Sequence, residues 1–290
     1  MSSVKTLPRD SENRLLCECE NCGYPKLDPF IDNEEQQLFH CPECLLYQKG
    51  NLPDMELYEN YYHTGYASRR ESKTRTAMIR LGSVTKYLEP GPVKMLDVGC
   101  SIGATVEAGK RLGWEASGVD VSQAAVKYCK EQGLDCYVID DERLPFEDNT
   151  FDVLASWHVI EHVTDVKATL AEWNRVLKPG GIMILETPES QCLKARRLGA
   201  EYAKFWPLGH LYTFTRSNMT SLLEKSGFDV LPSKVLGKLN ALSPKMNAYA
   251  LGYRSFRKIY RTFGLCKSIE VVSRKTGEPQ VGTASLQRAA

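Results

Sequence analysis

The nonapeptide Met95-Leu-Asp-Val-Gly-Cys-Ser-Ile-Gly103 decides the fold of this 290-residue chain. Its apolar start, with Val93 just upstream, predicts a short buried parallel strand, and Gly99 and Gly103 predict a tight turn into an amphipathic helix. Because glycine has no Cβ, the turn can bend sharply and bring bare backbone amides against a ligand at the positive end of that helix. The stretch therefore predicts a strand, a turn and a helix start that together cradle a cofactor.

Strand and helix patterns alternate after this turn. Such an alternation predicts a parallel sheet covered by helices on both faces. Ser122 is the expected cap of one helix, which Gly133 ends, and another helix with a serine cap is expected at 217–226 before a final strand pair that starts at Gly227-Phe228. Further helices are expected at 69–88, 103–112 and 165–177, and further strands at 114–120, 135–139, 151–156 and 182–185.

The loop differs from a dinucleotide-binding Gly-x-Gly-x-x-Gly turn. Ser101 stands where a middle glycine is often found, and Asp97 lies on the strand end itself. A second acid, Asp120, closes the next strand at about the distance that places a carboxylate over a ribose. A third acid, Asp140, ends the run that follows.

These acids, together with Leu144-Pro-Phe146, Phe151-Asp-Val-Leu154 and Leu177-Lys-Pro-Gly-Gly181, occur in an order that resembles the class I S-adenosylmethionine-dependent methyltransferases over residues 75–235. The alternative is a generic nucleotide-binding sheet. The resemblance implies an α/β fold with a Rossmann-like, seven-stranded, mostly parallel sheet. It also implies S-adenosylmethionine as cofactor, with Asp120 at the ribose, Asp140 at the adenine and the 97–103 backbone around the methionine part. The implied cofactor-binding set is Asp97, Gly99, Cys100, Ser101, Gly103, Asp120, Val121, Asp140, Asp141 and Trp157.

Five of the ten cysteines lie in the first 44 residues. Cys19 and Cys22 form one Cys-x-x-Cys knuckle and Cys41 and Cys44 another, a spacing that suits a tetrahedral four-thiolate zinc ribbon. Zinc would be structural here, and its binding would supply the folding energy that so short a segment lacks. Cys17 is the spare thiol, with His40 as a less suitable substitute ligand; the alternative is four unliganded surface thiols.

Composition sets limits on partners and location. Lysine and arginine exceed the acids by one, so overall electrostatics gives no support to a nucleic-acid partner. The polar start and the lack of a long apolar run predict no secretion signal and no membrane span. We expect a cytoplasmic protein with reduced thiols that acts on a small molecule or a saccharide. The sequence does not indicate an oligomeric state.

Four segments are expected: a zinc ribbon (1–52), a Tyr-rich connector with a helix (53–90), the methyltransferase domain (91–235) and a carboxyl-terminal extension (236–290) that ends in a frayed tail from residue 273. In similar proteins a segment before the first strand folds over the cofactor. Tyr61, Tyr62 and Tyr66 are therefore lid candidates, although they could equally pack the ribbon onto the main domain.

The catalytic residues are expected in the loop after the fourth strand of the sheet, because ligands of open α/β sheets bind at the carboxyl ends of strands. His158 is the first candidate for a general base and His210 the second. In the alternative, Glu161, His162 and His210, with or without His158, hold a divalent ion. The segment resembles the ubiquinone-biosynthesis and small-RNA 2′-O-methyltransferases, which carry Glu-x-x-Glu-His at this position. This chain departs from the pattern, because His158 stands in place of the first acid. His162 could also be a packing residue.

The four-cysteine module, the Tyr-rich connector and the loop Trp206-Pro-Leu-Gly-His210 together resemble enzymes that methylate sugars in antibiotic and cell-surface polysaccharide pathways. The long carboxyl-terminal domain of sugar C-methyltransferases is not recognisable here, which favours O-methylation of a hydroxyl. Two other readings remain open: an RNA methyltransferase that grips RNA with its ribbon, and a non-catalytic S-adenosylmethionine-binding or scaffold protein.

Overall fold

The computed structural model describes residues 8–33, 37–50, 69–139, 143–203, 209–232, 252, 255 and 268–279. A small antiparallel unit comes first and a helix follows. Its elements are β1 (Asp28–Asp32), β2 (Gln37–His40), β3 (Tyr47–Lys49) and helix α1 (Arg70–Val84), which ends in a 3₁₀ turn (Thr85–Tyr87).

Strands and helices then alternate, as the sequence predicts. They are β4 (Lys94–Val98), α2 (Ala104–Arg111), β5 (Glu115–Asp120), α3 (Gln123–Glu131), β6 (Asp135–Val138), β7 (Phe151–Trp157), α4 (Val166–Val176) and β8 (Leu177–Pro188). The last elements are α5 (Leu193–Leu198), α6 (Ala200–Ala203), β9 (Tyr212–Thr213), α7 (Arg216–Lys225), β10 (Phe228–Val230) and β11 (Ser268–Lys275).

The main sheet has seven strands in the order β10-β11-β8-β7-β4-β5-β6. The five neighbouring strands β8, β7, β4, β5 and β6 run parallel to one another. β11 is antiparallel to both of its neighbours, β8 and β10. The central strand β4 buries Met95 on one face and Leu96 on the other, so each face contributes to a different apolar cluster. This arrangement confirms the predicted Rossmann-like, seven-stranded, mostly parallel sheet.

One helix start confirms its expected cap, a second has a cap that was not predicted, and a third corrects the expected residue. The Ser122 hydroxyl accepts a hydrogen bond from the Ala125 amide, and the Asp165 carboxylate accepts one from the Ala168 amide. The helix expected to begin with a serine cap at 217 begins one residue earlier, because Thr215 forms a reciprocal capping box with Asn218. The serine cap was therefore assigned to the wrong residue.

The expected frayed tail from residue 273 is also corrected. Residues 273–275 belong to β11, whose side chains alternate between half-buried and buried along all eight positions. Lys275 ends this strand inside the protein, where its Nζ donates hydrogen bonds to the Leu177 and Asn174 carbonyls at 3.0 and 2.8 Å. Three backbone and side-chain oxygens, including Asn149 Oδ1, thus satisfy a buried ammonium group.

The amino-terminal unit is continuous with the main domain. Its sheet has the order β1-β2-β3-β9, so the last strand comes from the chain that follows the large sheet's β8. Two side chains of α7 also reach the cysteine knuckles: Asn218 Nδ2 donates to the Cys44 carbonyl and Lys225 Nζ to the Asn21 carbonyl. None of the helices in the described part of the chain combines the length and apolar character that crossing a bilayer requires.

Candidate active site

The turn after β4 has the geometry of a cofactor cradle. Gly99 and Gly103 adopt φ values of +75° and +71°, and Ser101 between them has φ +47°. A Cβ on Gly99 would lie 2.3 Å from Val159 Cγ2, and one on Gly103 would lie 2.4 Å from Leu134 Cδ1. Both the backbone conformation and the lack of space therefore require glycine at these two positions.

Asp120 holds the far side of this turn. Its Oδ2 accepts the Ser101 amide at 2.7 Å and its Oδ1 accepts the Ser122 amide at 2.9 Å. Each carboxylate oxygen can accept a second hydrogen bond, so both retain a site for a ribose hydroxyl. Val121, the next residue, is 51% exposed, which leaves an apolar side chain open beside the acid.

Asp97 is the least satisfied acid of the site. Its side chain is 1% exposed, and its Oδ1 has no hydrogen-bond partner among the described residues. Burial raises the pKa of this carboxyl well above its usual range, although a hydrogen bond to Thr105 acts in the opposite direction. A buried, half-satisfied acid at the end of β4 fits the cationic amino group of S-adenosylmethionine, which would complete its hydrogen bonding.

Other expected cofactor residues surround these acids, and some lie outside the described residues. Trp157 Nε1 donates to Thr105 Oγ1 at 2.9 Å, which places the indole beside the start of α2. The Arg80 guanidinium, from α1, lies 4.6 Å from the centroid of the Trp157 ring. Cys100 is buried below the turn. Asp140 and Asp141, and the lid candidates Tyr61, Tyr62 and Tyr66, lie outside the described residues.

The loop after β7 carries a histidine-carboxylate pair. His158, at φ +59°, lies 3.0 Å by its Nδ1 from Glu161 Oε1. Thr187 Oγ1 donates to the other oxygen of Glu161 at 3.0 Å, and Glu161 is fully buried. Burial alone would lower the pKa of His158, but the hydrogen bond and charge of Glu161 outweigh it and raise that pKa above its ordinary value.

His162 and His210 meet on the other side of Glu161. Their rings contact edge to face with centroids 4.6 Å apart, and His162 Nδ1 lies 3.0 Å from the Gly209 carbonyl oxygen. One ligand atom each from Glu161, His162 and His210 lies within 4.8 Å of the other two. Burial lowers the pKa of both histidines, that of His210 to about 4, so both imidazoles are neutral at pH 7.

This donor set suits a divalent ion in its composition, because two neutral imidazoles and one carboxylate are common ligands. Both Glu161 oxygens, however, already make hydrogen bonds to His158 and Thr187. Each oxygen keeps a second lone pair, so an ion could coordinate Glu161 while these hydrogen bonds persist. The structure thus brings the sequence-predicted residues together in an arrangement that suits both the histidine base and a divalent ion.

Two residues at this site escaped the sequence analysis. Thr187 fixes Glu161 from the end of β8, and Lys49 at the end of β3 lies close enough for its charge to lower the pKa of His162 and His210. The Lys49 amide donates to the Leu211 carbonyl at 2.9 Å, which ties β3 to the histidine loop. No local motif marks these residues, since only the pairing of distant strands places them here.

The four cysteines of the two knuckles converge as expected. Their sulfur atoms all lie within 4.8 Å of one another, with Cys19 to Cys44 and Cys22 to Cys41 each at 3.5 Å. A hydrogen bond from Cys19 lowers the pKa of the Cys44 thiol to about 5. Four soft sulfur donors at this separation fit a structural zinc ion.

A second cysteine cluster was not predicted. Cys100, Cys129 and Cys136 are all buried, and their sulfurs also lie within 4.8 Å of one another. The Cys129 thiol donates to the Ser101 carbonyl at 3.1 Å, directly under the glycine turn. The cluster escaped detection because α3, β6 and the turn each contribute one cysteine.

Comparisons with known proteins agree with this geometry. Residues 96–185 match a family described as a methyltransferase domain. The ubiquinone biosynthesis O-methyltransferase of Mesorhizobium japonicum is 33% identical over 143 residues, which cover 46% of this chain and 57% of that enzyme. The enzyme of the same name from Bradyrhizobium sp. is 40% identical over 124 residues, covering 39% and 48%. The chain therefore spans about half the length of the curated relatives it matches.

The fold comparison extends further along the chain. A SAM-dependent methyltransferase from Archaeoglobus fulgidus, of known structure, superposes with a TM-score of 0.52 and 19% identity, covering 73% of this chain and 100% of that one. This likeness concerns the fold alone. The fold is that of the class I S-adenosylmethionine-dependent methyltransferases, with a cysteine cluster at its amino terminus that fits a small zinc ribbon.

Proposed function

We propose that this protein is an S-adenosylmethionine-dependent O-methyltransferase that methylates a hydroxyl of a sugar or of another small-molecule or polysaccharide precursor. The half-satisfied carboxylate of Asp97 beside the glycine turn carries the cofactor part of the proposal. The similarity to proteins named ubiquinone biosynthesis O-methyltransferase supports transfer to oxygen. The sugar acceptor rests on the resemblance of the ribbon, connector and histidine loop to sugar-modifying enzymes.

The acceptor hydroxyl needs a base, because a neutral hydroxyl is a poor nucleophile. The bound cofactor supplies an electrophilic methyl group on a positively charged sulfur. His158, half exposed at the rim, is oriented by Glu161 so that its Nε2 accepts the hydroxyl proton as the oxygen attacks. Glu161 stabilises the imidazolium that forms, and Thr187 keeps the carboxylate in place. Such a base contributes roughly 10²–10⁴-fold to the rate.

The remaining chemistry is positioning. Asp97, Asp120 and the 99–103 backbone would fix the cofactor, and Val121 and Trp157 would line its adenosine side. Asp140 and Asp141 are assigned to the same side by the family resemblance alone. Holding the methyl group and the acceptor oxygen in line contributes through lost translational freedom rather than through charge. Tyr61, Tyr62 and Tyr66 remain lid candidates on the sequence argument.

A metal-assisted reaction is the second mechanism. Glu161, His162 and His210 would hold a divalent ion that lowers the pKa of the acceptor oxygen. The two mechanisms differ in their essential histidine. Replacing His158 abolishes the first, whereas the second needs His162 and His210 and is lost on chelation.

The test is transfer of a labelled methyl group from S-adenosylmethionine to candidate acceptors, with nucleotide sugars, free sugars, polyphenols and RNA compared side by side. We expect His158→Ala to reduce turnover about 10²-fold or more while S-adenosylhomocysteine still binds. His162→Ala is the matched control, since it removes a neighbouring imidazole that is not the base. A loss under tenfold in His158→Ala, with inactivation by His162→Ala and by EDTA, would establish the metal mechanism instead.

Two outcomes would redirect the function itself. Binding to RNA that weakens steeply with salt, with methylation of RNA alone, would identify a ribbon-guided RNA methyltransferase. Absence of any S-adenosylhomocysteine binding in calorimetry would leave a scaffold with a degenerate site.

A further inference from the structure

Three cysteines outside the ribbon converge beneath the cofactor turn. Cys100 belongs to the turn itself, Cys129 to α3 and Cys136 to β6, and none of the three forms a disulfide. Their side chains are 4%, 0% and 1% exposed, within an apolar cluster that also contains Val106 and Leu134. Each sulfur lies within 4.8 Å of the other two, the same limit that the four ribbon sulfurs meet. The proposed methyl transfer uses none of these thiols.

Two glycines leave the space that brings these sulfurs together. Gly118 pairs with Cys136 across β5 and β6, so both residues face the same side of the sheet. A Cβ on Gly118 would lie 2.7 Å from Cys100 Cβ and 2.9 Å from its sulfur. A Cβ on Gly103 would likewise lie 2.9 Å from the Cys129 sulfur. Side chains at these two positions would therefore push the cysteines apart.

Three thiolates in this arrangement form a ligand set for a soft metal ion. An ion about 2.3 Å from each of three sulfurs would separate the sulfurs by about 4 Å, which lies inside the 4.8 Å limit. Among the described residues, no fourth Cys, His, Asp or Glu side chain places a donor atom in this cluster. The Ser101 carbonyl oxygen lies 3.1 Å from Cys129 Sγ, but a carbonyl suits hard ions rather than soft ones. Zinc in a structural site takes four ligands, whereas Cu⁺ is a softer ion that prefers thiolates and accepts three of them.

We propose that Cys100, Cys129 and Cys136 bind one Cu⁺ ion, at a site separate from the ribbon and from the histidine loop. Binding releases the thiol protons to solvent, so Cys129 loses the hydrogen bond that its thiol donates to the Ser101 carbonyl. Asp120 accepts the Ser101 amide at 2.7 Å, so Ser101 connects the thiols to the acid expected at the ribose. Metal binding therefore weakens cofactor binding, and the effect is reciprocal. This coupling, unlike the metal site itself, rests on the cofactor position proposed above.

The experiment measures Cu⁺ binding to the full-length, zinc-loaded protein. The chain is titrated in the absence of oxygen with Cu⁺ buffered by bicinchoninate, and elemental analysis gives the copper and zinc content per chain. We expect one copper ion to bind while the zinc content stays unchanged. X-ray absorption at the copper edge should show three sulfur ligands and no oxygen ligand.

Two variants remove one ligand each. Cys136→Ala deletes a thiol, and Cys129→Ser replaces a thiol by a hydroxyl that still donates to the Ser101 carbonyl. Changes outside the ligand shell already cost about 10–100-fold in metal affinity, so each variant should weaken Cu⁺ binding about 100-fold or more. Cys192→Ala is the matched control and should bind Cu⁺ as the parent does, because this thiol is also buried but lies outside the cluster. Zinc content and the unfolding midpoint show whether each variant is folded, and either ligand variant alone tests the site.

Titration of S-adenosylhomocysteine with and without the copper ion measures the coupling. Loss of one hydrogen bond corresponds to a fall of about two- to tenfold in affinity, which is the effect expected of copper on the parent protein. Cys129→Ser should bind S-adenosylhomocysteine as the parent does, and its affinity should not change when copper is added.

The possible outcomes separate the site from its coupling and from the proposed function. Copper that only displaces zinc from the ribbon, or that binds Cys136→Ala and Cys192→Ala equally, overturns the site and leaves three thiols packed as small apolar side chains. A second zinc ion at the three thiols in place of copper overturns the choice of ion. Copper at the three thiols with unchanged affinity for S-adenosylhomocysteine supports the site and refutes the coupling. No binding of S-adenosylhomocysteine at any copper level refutes the proposed cofactor site while the copper content still decides the metal site.

Discussion

Adding one methyl group at Gly99 tests whether the cofactor turn and the catalytic loop share a packed contact. Alanine at φ +75° costs about 1–2 kcal/mol for the left-handed backbone alone. Its Cβ would also lie 2.3 Å from Val159 Cγ2, the residue after His158, and relieving such an overlap costs about 1–3 kcal/mol more. Gly99→Ala should therefore destabilise the protein by about 2–5 kcal/mol.

Gly113 provides a matched control. It has φ +80°, and a Cβ built there meets nothing within 4 Å. Gly113→Ala should therefore lose only the backbone cost of about 1–2 kcal/mol. Combining Gly99→Ala with Val159→Ala removes the overlap, so the pair should show a favourable coupling of about 1–3 kcal/mol.

The variants to compare are Gly99→Ala, Gly113→Ala, Val159→Ala and the double variant Gly99→Ala/Val159→Ala. Urea unfolding measures their stability, and calorimetry measures their affinity for S-adenosylhomocysteine. The affinity of Gly99→Ala for S-adenosylhomocysteine should fall about 10- to 100-fold. Each tenfold loss corresponds to about 1.4 kcal/mol of binding free energy. Gly113→Ala should bind as the parent does. Equal losses in Gly99→Ala and Gly113→Ala, without coupling to Val159, would refute the packed contact between turn and loop.

Three further predictions concern the ribbon, a helix cap and the candidate base. Cys41→Ser should abolish zinc binding and unfold the ribbon, whereas Cys17→Ser, which lies outside the cluster, should retain one zinc ion per chain. Elemental analysis measures the zinc content. Equal loss of zinc in both variants would refute the assignment of the four ligands. Thr215→Ala should cost about 1 kcal/mol in urea unfolding and Ser217→Ala less than about 0.5, and the reverse ranking would reinstate the serine cap. Because Glu161 raises the pKa of His158, kcat/KM should fall as the pH decreases through a pKa above 6.5. Glu161→Gln should shift this fall in kcat/KM to lower pH. An unchanged pH profile would refute the role of Glu161 in raising the pKa of His158.

Local patterns predicted most of the large sheet because its signals are short in range. Glycine turns, helix caps and apolar strands each depend on neighbours within a few residues, and the cap at Ser122 confirms this. β11 was missed because its buried positions include Ser273 and Lys275, which look like a polar tail until the oxygens that satisfy Lys275 are placed around it. Buried polar residues are recognisable only with their partners.

In the candidate site, too, some contacts follow from nearby sequence and others depend on the pairing of distant strands. His158 and Glu161 lie on one loop, so their pairing was accessible from sequence. Thr187 reaches Glu161 only because β7 and β8 pair side by side, and Lys49 reaches the histidines only because β3 pairs with a strand that follows β8. Tertiary register, rather than any motif, determines these contacts.

The position of β11 has a consequence for biosynthesis. It inserts between β8 and β10, so during translation the edge of β8 has no neighbour on that side until residues 268–275 leave the ribosome. An unpaired strand edge attracts other chains, and nascent proteins in this state are candidates for chaperone protection. The large sheet of the growing polypeptide would thus be incomplete until β11 pairs with β8 and Lys275 is buried at its end.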